Sequence, residues 1–585
     1  MRNRQFIYFI AIIRHPLRAL EAFFWLMTGK KVRARNRLGA LLHNLRSDYQ
    51  VWQDLNEDFS TVRQNDSLQL SALMQKPPYF QVIILSGAGD DKLLDDSLQS
   101  IADQWYPHVD YIIANGHNTP TLHAPGQSPH YYLWITEGDI LLPDSLFNFA
   151  SVINEHTVPI VYSDEDQVTR TGERCFPHFK PSFNKELLFS QDYIGQACVI
   201  NAELVLDANL DPLHRETRAK ILLEAADKEA AVQVASLDKN EKTQASIHHI
   251  PSITLSRFHH KSVGVEKWCS SADYNKLLKT FADSRPFRRY KTGSFGFAYL
   301  EPALHSEPLV SVIIPTKDTV PLLKKCLNSI FMQTDYEKYE ILVVDNNSEE
   351  EETFDYFTTL ANEPRVRILS HPGAFNYSAI NNAAVKEAQG KYIFLLNNDT
   401  EILTPTWIRD CLAYATRDDI GAVGVKLYYP DTRIQHAGVF TGIGRMAGHG
   451  HRFLEKDNPG YYYRAHIVQQ VSAVTAACLC VKKDKFLEVG GLDAENLVVA
   501  FNDVDLCLKL DAAGYKNIYL PHVELVHHES VSRGKDLFGA KRERYLGEVT
   551  YMQEKWGMDT QVDRFYNPNL TLITEDFAIR TTPPE

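Results

Sequence analysis

The stretch VSVIIPTKDTVPLLKKCLNSI, residues 310–330, decides the fold of this chain. It begins with an apolar run typical of a strand, turns polar around Lys317 and Asp318, and continues as a helix that ends in Leu-x-Ser-Ile. A strand, a polar loop and a helix in that order are typical of α/β proteins. The same order recurs in FQVIILSGAGDDKLLDDSLQSI, residues 80–101, so the sequence contains an internal repeat.

Further strand patterns follow in both copies. YIIANGHN and ILVVDNNS predict a second strand, and YYLWITEGDILLP and YIFLLNNDTEILTP predict a third strand that ends in polar residues. The repeat therefore predicts two related α/β domains. We place them at residues 78–260 and 308–535, with a linker at 261–307, a basic segment at 1–50 and a helical C-terminal extension at 536–585.

Polar residues follow three strands of the second copy. Parallel strands in an open α/β sheet present their carboxyl ends to a crevice, and ligands bind there. The residues Pro315 to Lys317, Asp345 and Asp399 each follow such a strand, so we expect them to converge on one site. For any one of them alone, a solvated carboxylate in a loop is the alternative.

The two copies differ in their acidic residues. Asp345 closes the second strand of the second copy, and the first copy has no acid there. The second copy continues into AFNDVDLCLKL, residues 500–510, whereas the matching region of the first lacks paired carboxylates. When the late strands are aligned on their shared proline, Arg257 stands opposite His527. The first copy is therefore predicted to be degenerate.

Length and charge restrict the class of protein. A chain of 585 residues is too long for one hydrophobic core, and 44% apolar residues suit globular folding. A net charge of −13 argues against general nucleic-acid binding, because a polyanion is repelled by most of such a surface. Residues 1–46 differ, with ten Lys or Arg residues and one acid, Glu21.

The basic N-terminal segment predicts a contact with a membrane surface. Its apolar runs, residues 6–13 and 19–27, are shorter than the roughly 20 residues that a spanning helix needs. No small-residue cleavage site follows, so a secretory signal is not predicted. Phe23, Phe24 and Trp25 beside several Lys and Arg residues suit a helix that lies on an anionic leaflet. The alternative is a basic helix packed on the protein body.

Cysteine usage predicts a cytoplasmic protein. The eight cysteines are scattered without the spacing of a disulfide framework, and Cys478 and Cys480 form a strand pair rather than a zinc signature. Together with the basic segment, this places the protein in the cytoplasm, peripheral at the inner face of the cell membrane.

Five motifs in order carry a family resemblance. VSVIIPTKD, ILVVDNNS, FLLNNDTEIL, GGLD and FNDVDLCLKL resemble the nucleotide-sugar-binding core of a family 2 glycosyltransferase with the Rossmann-like GT-A fold, over residues 308–535. HAGV, HHESVSRG and YNPNL are similar to motifs of multidomain bacterial enzymes of surface-polysaccharide (O-antigen and capsule) synthesis, many of them rhamnosyltransferases. VYSDEDQ and PHFKPSF resemble the degenerate leading domain of such proteins, so the resemblance implies tandem GT-A domains.

The resemblance implies an inverting, metal-dependent enzyme. It would move a sugar from a nucleoside diphosphate sugar to a hydroxyl of a lipid-linked or polysaccharide acceptor. Pro315 and Thr316 would bracket the nucleotide base through main-chain contacts, and Asp345 would receive the base or the ribose. The implied nucleotide-sugar site comprises Pro315, Thr316, Lys317, Asp345, Asn397, Asn398 and Arg533. Arg533 either meets the diphosphate or is a plain surface arginine.

The expected metal is Mg²⁺ or Mn²⁺. A departing diphosphate gains negative charge, which a divalent cation offsets, and such ions prefer carboxylates, with imidazole for Mn²⁺. Asp399 corresponds to the last position of the common Asp-x-Asp motif, but Asn397 and Asn398 precede it, so the site has one carboxylate fewer. His527 or His528 would supply a second ligand; since neighbours on a strand face opposite ways, only one points at the site, and we favour His527.

The acceptor needs a base, because a sugar hydroxyl is too weak an acid to ionise alone. Asp503 matches the family's base, although Asn502 stands where an acid is usual, and Asp505 is either an alternative base or the start of a helix. Gly490, Gly491, Leu492 and Asp493 form either a flexible acceptor loop or a plain turn before a helix.

Two other functions remain open from the sequence. A non-catalytic binding or scaffolding protein of glycan assembly would explain the asparagines at positions 397, 398 and 502. A bifunctional enzyme, with both copies active, would explain the acids Asp139, Asp164 and Asp166 of the first copy.

Overall fold

Two β-sheets, of eight and ten strands, organise the chain. The computed structural model describes residues 16–28, 34, 48–87, 90–114, 129–235, 247–258, 272–529 and 539–582. Strands and helices alternate in the parts of the chain that form both sheets, which confirms the predicted α/β class.

The first sheet is built from strands within residues 79–258. They are β1 (Tyr79–Leu85), β2 (Val109–Ala114), β3 (His130–Thr136), β4 (Ile140–Leu141), β5 (Ile160–Val168), β6 (Arg174–His178), β7 (Cys198–Asn201) and β8 (Ile247–Phe258). Their spatial order is β2-β1-β3-β7-β5-β8-β4, with β6 paired to β5. The central strand β1 pairs in parallel with both neighbours, which requires crossover connections such as a helix.

An antiparallel ribbon separates the two sheets. It consists of β9 (Arg288–Thr292) and β10 (Ala298–Pro302), and it follows a helix over Ala272–Asp283. The segment that we predicted as a linker, residues 261–307, therefore contains regular structure from residue 272 onward. Its first residues, 261–271, lie outside the described part of the chain.

The second sheet contains most of the later strands. They are β11 (Val310–Thr316), β12 (Tyr339–Asp345), β13 (Val366–Ser370), β14 (Tyr392–Leu396), β15 (Thr400–Ile402), β16 (Ile420–Tyr428), β17 (Ile434–His436), β18 (Val439–Thr441), β19 (Ala447–His449), β20 (Gln469–Val471), β21 (Cys478–Lys482) and β22 (Lys516–His527). The spatial order is β13-β12-β11-β14-β21-β16-β22-β15. β17 pairs with β16, β20 pairs with β22, and β18 and β19 form a separate small sheet.

The two sheets have the same strand order. The order β2-β1-β3-β7-β5-β8-β4 of the first sheet corresponds to β12-β11-β14-β21-β16-β22-β15 of the second, which adds β13 at its edge. In both sheets the central strand pairs in parallel with both neighbours, and the short last strand pairs antiparallel with the long one. The shared order agrees with the repeat in the sequence.

Helices cover the sheets and the chain ends. They run over Pro16–Met27, Asp48–Asn56, Thr61–Ala72, Asp91–Ala102, Ser145–His156, Lys185–Leu188, Ala202–Asp207, Thr217–Ala235, Ala272–Asp283, Val320–Gln333, Glu351–Leu360, Tyr377–Glu387, Trp407–Ala415, Lys483–Glu488, Asn502–Ala512 and Gly539–Trp556. Short 3₁₀ turns lie at Ser294–Gly296, Ile443–Arg445 and Tyr461–Tyr463. Within the described ranges, no helix has both the length and the apolarity needed to cross a bilayer.

The central strand of the second sheet is buried on both faces. β11 is buried at all seven positions. Val312 and Ile314 lie in one apolar core, and Ile313 lies in the other. Burial on both faces explains why the opening stretch is a continuous apolar run and does not alternate with polar residues.

Segments from both ends of the chain meet at the first sheet. The side-chain amide of Asn567 donates to the two carboxylate oxygens of Asp164, at 3.1 and 2.9 Å. Trp52, in helix Asp48–Asn56, donates its indole N–H to Oδ1 of Asn569 at 3.1 Å. The YNPNL motif therefore lies against the VYSDEDQ motif of the first copy, although the two are far apart in sequence.

Candidate active site

The carboxyl ends of three strands lie side by side at one edge of the second sheet. β11 ends at Thr316, β12 ends at Asp345, and β14 leads into Asn397. The N–H of Asn346 donates to the Thr316 carbonyl at 2.9 Å, and the side-chain amide of Asn398 donates to the Thr316 hydroxyl at 3.0 Å. Segments distant in sequence thus converge at Thr316, as expected for parallel strands.

Asp399 and His527 face each other in the turn that follows β14. Because β15 pairs with the end of β22, Thr400 lies opposite His527. His527 Nε2 lies 3.1 Å from Asp399 Oδ1. Both residues are buried, with exposures of 9% and 6%. The strand pairing therefore brings together two residues that are far apart in sequence.

Gln435 determines which ring nitrogen of His527 faces Asp399. The Gln435 Nε2 donates to Glu529 Oε2 at 3.1 Å, so its Oε1 is the acceptor that lies 2.7 Å from His527 Nδ1. In the neutral ring, Nδ1 then carries the proton and Nε2 presents its lone pair towards Asp399. The Asn397 side-chain amide also lies 3.2 Å from Nε2. An imidazole lone pair beside a carboxylate, with the other ring nitrogen held by an acceptor, is the arrangement of a cation ligand.

His528 points to the other side of the strand. Its Nε2 lies 3.5 Å from Glu401 Oε2 and 3.2 Å from Lys325 Nζ. Neighbouring residues on a strand face opposite ways. Of the two histidines, His527 is therefore the one that lies beside Asp399.

Asp503 lies in the first turn of helix Asn502–Ala512. Its Oδ2 accepts the main-chain N–H of Ala476 at 3.0 Å, and its Oδ1 accepts that of Val504 at 2.9 Å. Burial raises the pKa of the Asp503 carboxyl, and these hydrogen bonds oppose part of the rise. A carboxylate with a raised pKa is a better proton acceptor than an ordinary one.

A short segment before β21 connects Asp503 to the turn that holds Asp399. Ala476 donates its N–H to Asp503, and the carbonyl of Ala477 accepts the N–H of Asn397 at 3.1 Å. The proposed base and the Asp399 turn are therefore held by two successive residues of one segment.

The carboxylate of Asp505 is held by contacts between helices. The residue is fully buried, and its carboxylate accepts the indole N–H of Trp556 at 2.9 Å. It also forms ion pairs with Lys509 at 2.9 Å and Lys555 at 2.7 Å. The contacts with Trp556 and Lys555 attach helix Gly539–Trp556 to helix Asn502–Ala512, so this carboxylate is committed to packing.

The other predicted donor-site residues differ in their surroundings. Pro315 is buried within β11. Lys317 is exposed and pairs with Glu349 at 3.1 Å. Asp345 is half-buried, and its Oδ1 accepts the N–H of Ser348 at 3.1 Å, which stabilises the turn after β12. Arg533 lies outside the described residues.

The GGLD segment is held to a neighbouring helix. Gly490 and Gly491 adopt positive φ angles of 81° and 65°, which favour glycine. The side chain of Asn382 makes two hydrogen bonds to the main chain of Leu492, at 2.7 and 3.0 Å. Asp493 accepts the hydroxyl of Tyr551 at 2.7 Å. These contacts fit the alternative that the GGLD segment is a plain turn. The segment lies beside the helix that carries Asp503.

Asp139, the aspartate that follows β3 of the first sheet, is occupied by main-chain hydrogen bonds. The two carboxylate oxygens of Asp139 accept the N–H groups of Thr136 at 2.7 Å and Phe258 at 2.8 Å. Asp139 is 1% exposed, and burial raises its pKa to about 6.

The ladder registers support the alignment of the late strands on their shared proline. From Ser163 to Glu165 the partners on β8 advance from Ile250 to Leu255, and from Val425 to Leu427 the partners on β22 advance from Leu520 to Leu525. Both long strands therefore carry the same register shift around the proline, and Arg257 stays opposite His527 in this alignment.

Sequence reasoning missed two contributors to the site. Gln435 orients His527, and its only sequence signal is that it directly precedes the HAGV motif. Ala476 contributes a main-chain N–H, for which no residue pattern exists. Both depend on long-range strand pairing.

Comparison with known proteins identifies a family domain and longer relatives. Residues 311–470 match the family model described as Glycosyl transferase family 2. The chain is 38% identical over 474 residues to the protein y4gI of Sinorhizobium fredii, covering 80% of this chain and 51% of that protein. It is 31% identical over 460 residues to the O-antigen biosynthesis protein RfbC of Myxococcus xanthus, covering 76% of this chain and 34% of that protein. The chain thus spans about half and about a third of the length of these two relatives.

A solved structure with some likeness is a mannosyltransferase of Pyrobaculum calidifontis in complex with GDP-Man and Mn²⁺. It is 17% identical, with a TM-score of 0.34, and the match covers 51% of this chain and 75% of that one.

Proposed function

We infer that this chain, which carries a family 2 glycosyltransferase domain at residues 311–470, is a glycosyltransferase of bacterial surface-glycan synthesis. We propose that it moves a sugar from a nucleoside diphosphate sugar to a hydroxyl of a lipid-linked or polysaccharide acceptor. Its similarity to an O-antigen biosynthesis protein supports the polysaccharide context.

One observation carries the proposal. Asp399 and His527 form a polar pair at the carboxyl edge of the second sheet, and Asp503 is tied through Ala476 and Ala477 to the turn that contains Asp399. Sugar transfer from a diphosphate requires ligands for a divalent cation and a carboxylate that accepts a proton. Asp399 with His527 supplies the first, and Asp503 supplies the second.

We assign the metal role to Asp399 and His527. These two residues suit a metal ion because the ring of His527 is held in one orientation, with its Nε2 lone pair directed at the carboxylate of Asp399. Mg²⁺ or Mn²⁺ bound there would offset the charge that develops on the departing diphosphate. Asn397 and Asn398 add no charge, so we expect a modest metal affinity.

We assign nucleotide binding to the strand ends beside this pair. The main chain of Pro315 and Thr316 and the carboxylate of Asp345 line the edge where the three strands converge. Asn397 and Asn398 offer amide groups for ribose hydroxyls. Lys317 and Arg533 remain predicted contacts of the donor.

We assign the base role to Asp503. As the acceptor oxygen forms its bond to the sugar carbon and the bond from that carbon to the diphosphate breaks, Asp503 takes the hydroxyl proton. A single displacement of this kind inverts the configuration at the sugar carbon; the family resemblance supports it. Gly490, Gly491, Leu492 and Asp493, next to the same helix, are proposed to lie near the acceptor.

We propose that the first sheet is a non-catalytic GT-A copy. The carboxylate oxygens of Asp139 accept main-chain N–H groups, and Asp164 is bound by Asn567. Asp166 pairs with Arg174 at 2.7 Å. With their oxygens engaged in this way, these acids favour a structural role over a second active site.

We further propose peripheral contact with an anionic membrane at the inner face of the cell. Helix Pro16–Met27 exposes several large apolar side chains, with Leu20, Phe23 and Phe24 each at least 60% exposed. The neighbouring basic residues are known from the sequence, and most of them lie outside the described part. Vesicles with anionic lipid should pull down the protein in a salt-sensitive manner, and a Phe23→Ser, Phe24→Ser double variant should bind less.

The decisive experiment is release of nucleoside diphosphate from a panel of nucleotide sugars. The purified chain should release it with one donor, dependent on a divalent cation. Asp399→Ala and Asp503→Asn should lose this activity while remaining folded. Equal release by all three proteins would overturn the enzymatic proposal and favour the scaffold.

A further inference from the structure

A second cluster of metal-ligand side chains lies where the ribbon meets the second sheet. Glu301 belongs to β10, Asp410 to helix Trp407–Ala415, and His522 to β22. One potential ligand atom of each lies within 4.8 Å of the other two. His522 precedes His527 by five positions on the same strand, a separation on the order of 15 Å in extended chain, so this cluster is distinct from the proposed active site.

Polar atoms of this cluster are buried without hydrogen-bond partners in the described structure. Glu301 is 4% exposed, and its Oε1 has no such partner among the described residues. The same holds for both ring nitrogens of His522. Burying polar atoms without partners is costly, and native proteins rarely leave several together. The cluster therefore calls for a partner that the described residues do not supply.

The charges around the cluster point to a cation. Burial raises the pKa of Glu301 and of Asp410, and the charges of Lys291, Arg289 and Arg409 oppose only part of the rise. The Nζ of Lys291 forms an ion pair with Glu301 Oε2 at 3.7 Å. Burial lowers the pKa of His522 to about 3, so its ring is neutral and offers a lone pair at neutral pH.

Packing holds two of the three ligands in place. The ring of His522 stacks on Tyr299, with centroids 4.8 Å apart. The hydroxyl of Thr406 donates to Asp410 Oδ2 at 2.5 Å, which fixes the orientation of this carboxyl group. Preorganised ligands of this kind lower the cost of binding an ion.

We propose that Glu301, Asp410 and His522 bind a divalent first-row cation, preferably Zn²⁺, with water completing a four-coordinate shell. One imidazole and two carboxylates are a donor set that Zn²⁺ accepts, and two carboxylates balance its charge. The three ligands come from the ribbon, a helix and a strand of the second sheet. The ion would therefore clamp the ribbon that follows the first sheet to the glycosyltransferase domain.

The test is a Zn²⁺ titration of the full chain in competition with a chromophoric chelator. The variants are His522→Gln, Glu301→Gln and the control His305→Gln, which changes an exposed histidine close to the ribbon. All are also made with His527→Ala, so that the proposed catalytic metal site does not contribute. Far-UV circular dichroism checks that each variant is folded.

The His527→Ala protein should retain one Zn²⁺ site, and the His305→Gln change should leave its affinity unaltered. Loss of a residue that hydrogen-bonds to a metal ligand weakens metal sites by about 10–100-fold, so loss of a ligand itself in His522→Gln or Glu301→Gln should weaken binding by at least that much. If His522→Gln does not fold, Glu301→Gln decides the result. The proposal fails if His527→Ala binds no Zn²⁺, or if Glu301→Gln binds it as tightly as the parent.

Discussion

Replacing Asp503 by asparagine tests the proposed base with little change of shape. The asparagine Oδ1 can take over the hydrogen bond from Ala476, now 3.0 Å long. Its NH₂ group then faces the N–H of Val504, which loses its acceptor. Losing one hydrogen bond to a charged group costs about 1.5–3 kcal/mol of folding free energy, a loss that many folded domains tolerate.

Asp503→Asn should slow the reaction of the folded enzyme strongly, although its effect on folding is small. A positioned base contributes about 10²–10⁴-fold to a rate. At about 1.36 kcal/mol per tenfold, this is a rise of about 2.7–5.4 kcal/mol in the barrier of the folded enzyme. Because burial raises the Asp503 pKa, kcat/KM of the parent should fall as the pH drops through that raised value, and the residual activity of Asp503→Asn should not show this limb.

Asp505→Asn is the matched control, two residues further along the same helix. It removes the charge that faces Lys509 and Lys555. Because those contacts are structural, the variant should lose stability in urea unfolding, while the transfer rate per folded molecule stays within about threefold of the parent. The assay is the initial rate of nucleoside diphosphate release, corrected for the folded fraction. If Asp503→Asn stays within tenfold of the parent rate while Asp505→Asn does not, the assignment of the base is wrong.

Three further predictions concern the metal pair, the first sheet and the core. His527→Ala should raise the Mn²⁺ concentration for half-maximal release by about 10-fold or more, and His528→Ala should not; equal shifts would refute the ligand assignment. Asp139→Asn should leave turnover unchanged. Between pH 6 and pH 4 the free energy of unfolding of the parent should rise relative to that of this variant, because the pKa of Asp139 in the folded protein, about 6, exceeds the ordinary 3.8. If urea unfolding shows the same difference in unfolding free energy at every pH in this range, the prediction is wrong. Gly424→Ala would press a Cβ onto Val474 and should cost about 1–3 kcal/mol in urea unfolding; no loss would show that the core yields.

The sequence was sufficient to locate the edge of the sheet where the site lies. Apolar runs that end in polar residues mark the carboxyl ends of strands, and parallel pairing brings such ends together. The ends of β11, β12 and β14 therefore lie side by side, and the shared site of Pro315 to Lys317, Asp345 and Asp399 stays a prediction. The alternation of side chains along a strand also separated His527 from His528 without knowledge of the pairing.

Contacts set by non-local pairing could not be predicted. Gln435 orients His527 only because β17, β16 and β22 lie side by side. Glu301 and Asp410 come from separate elements, and no local pattern links either of them to His522.

The hydrogen bond between Asn567 and Asp164 has a consequence for biosynthesis. The two residues are 403 positions apart, so a nascent first sheet leaves the ribosome long before its C-terminal partner has been translated. Until then, the carboxylate of Asp164 has to be satisfied by water or by Lys180 and His249 alone. Closure of this contact therefore has to follow the translation of residue 567, and ribosome-stalled chains that end before residue 567 should carry a first sheet that is open to proteases.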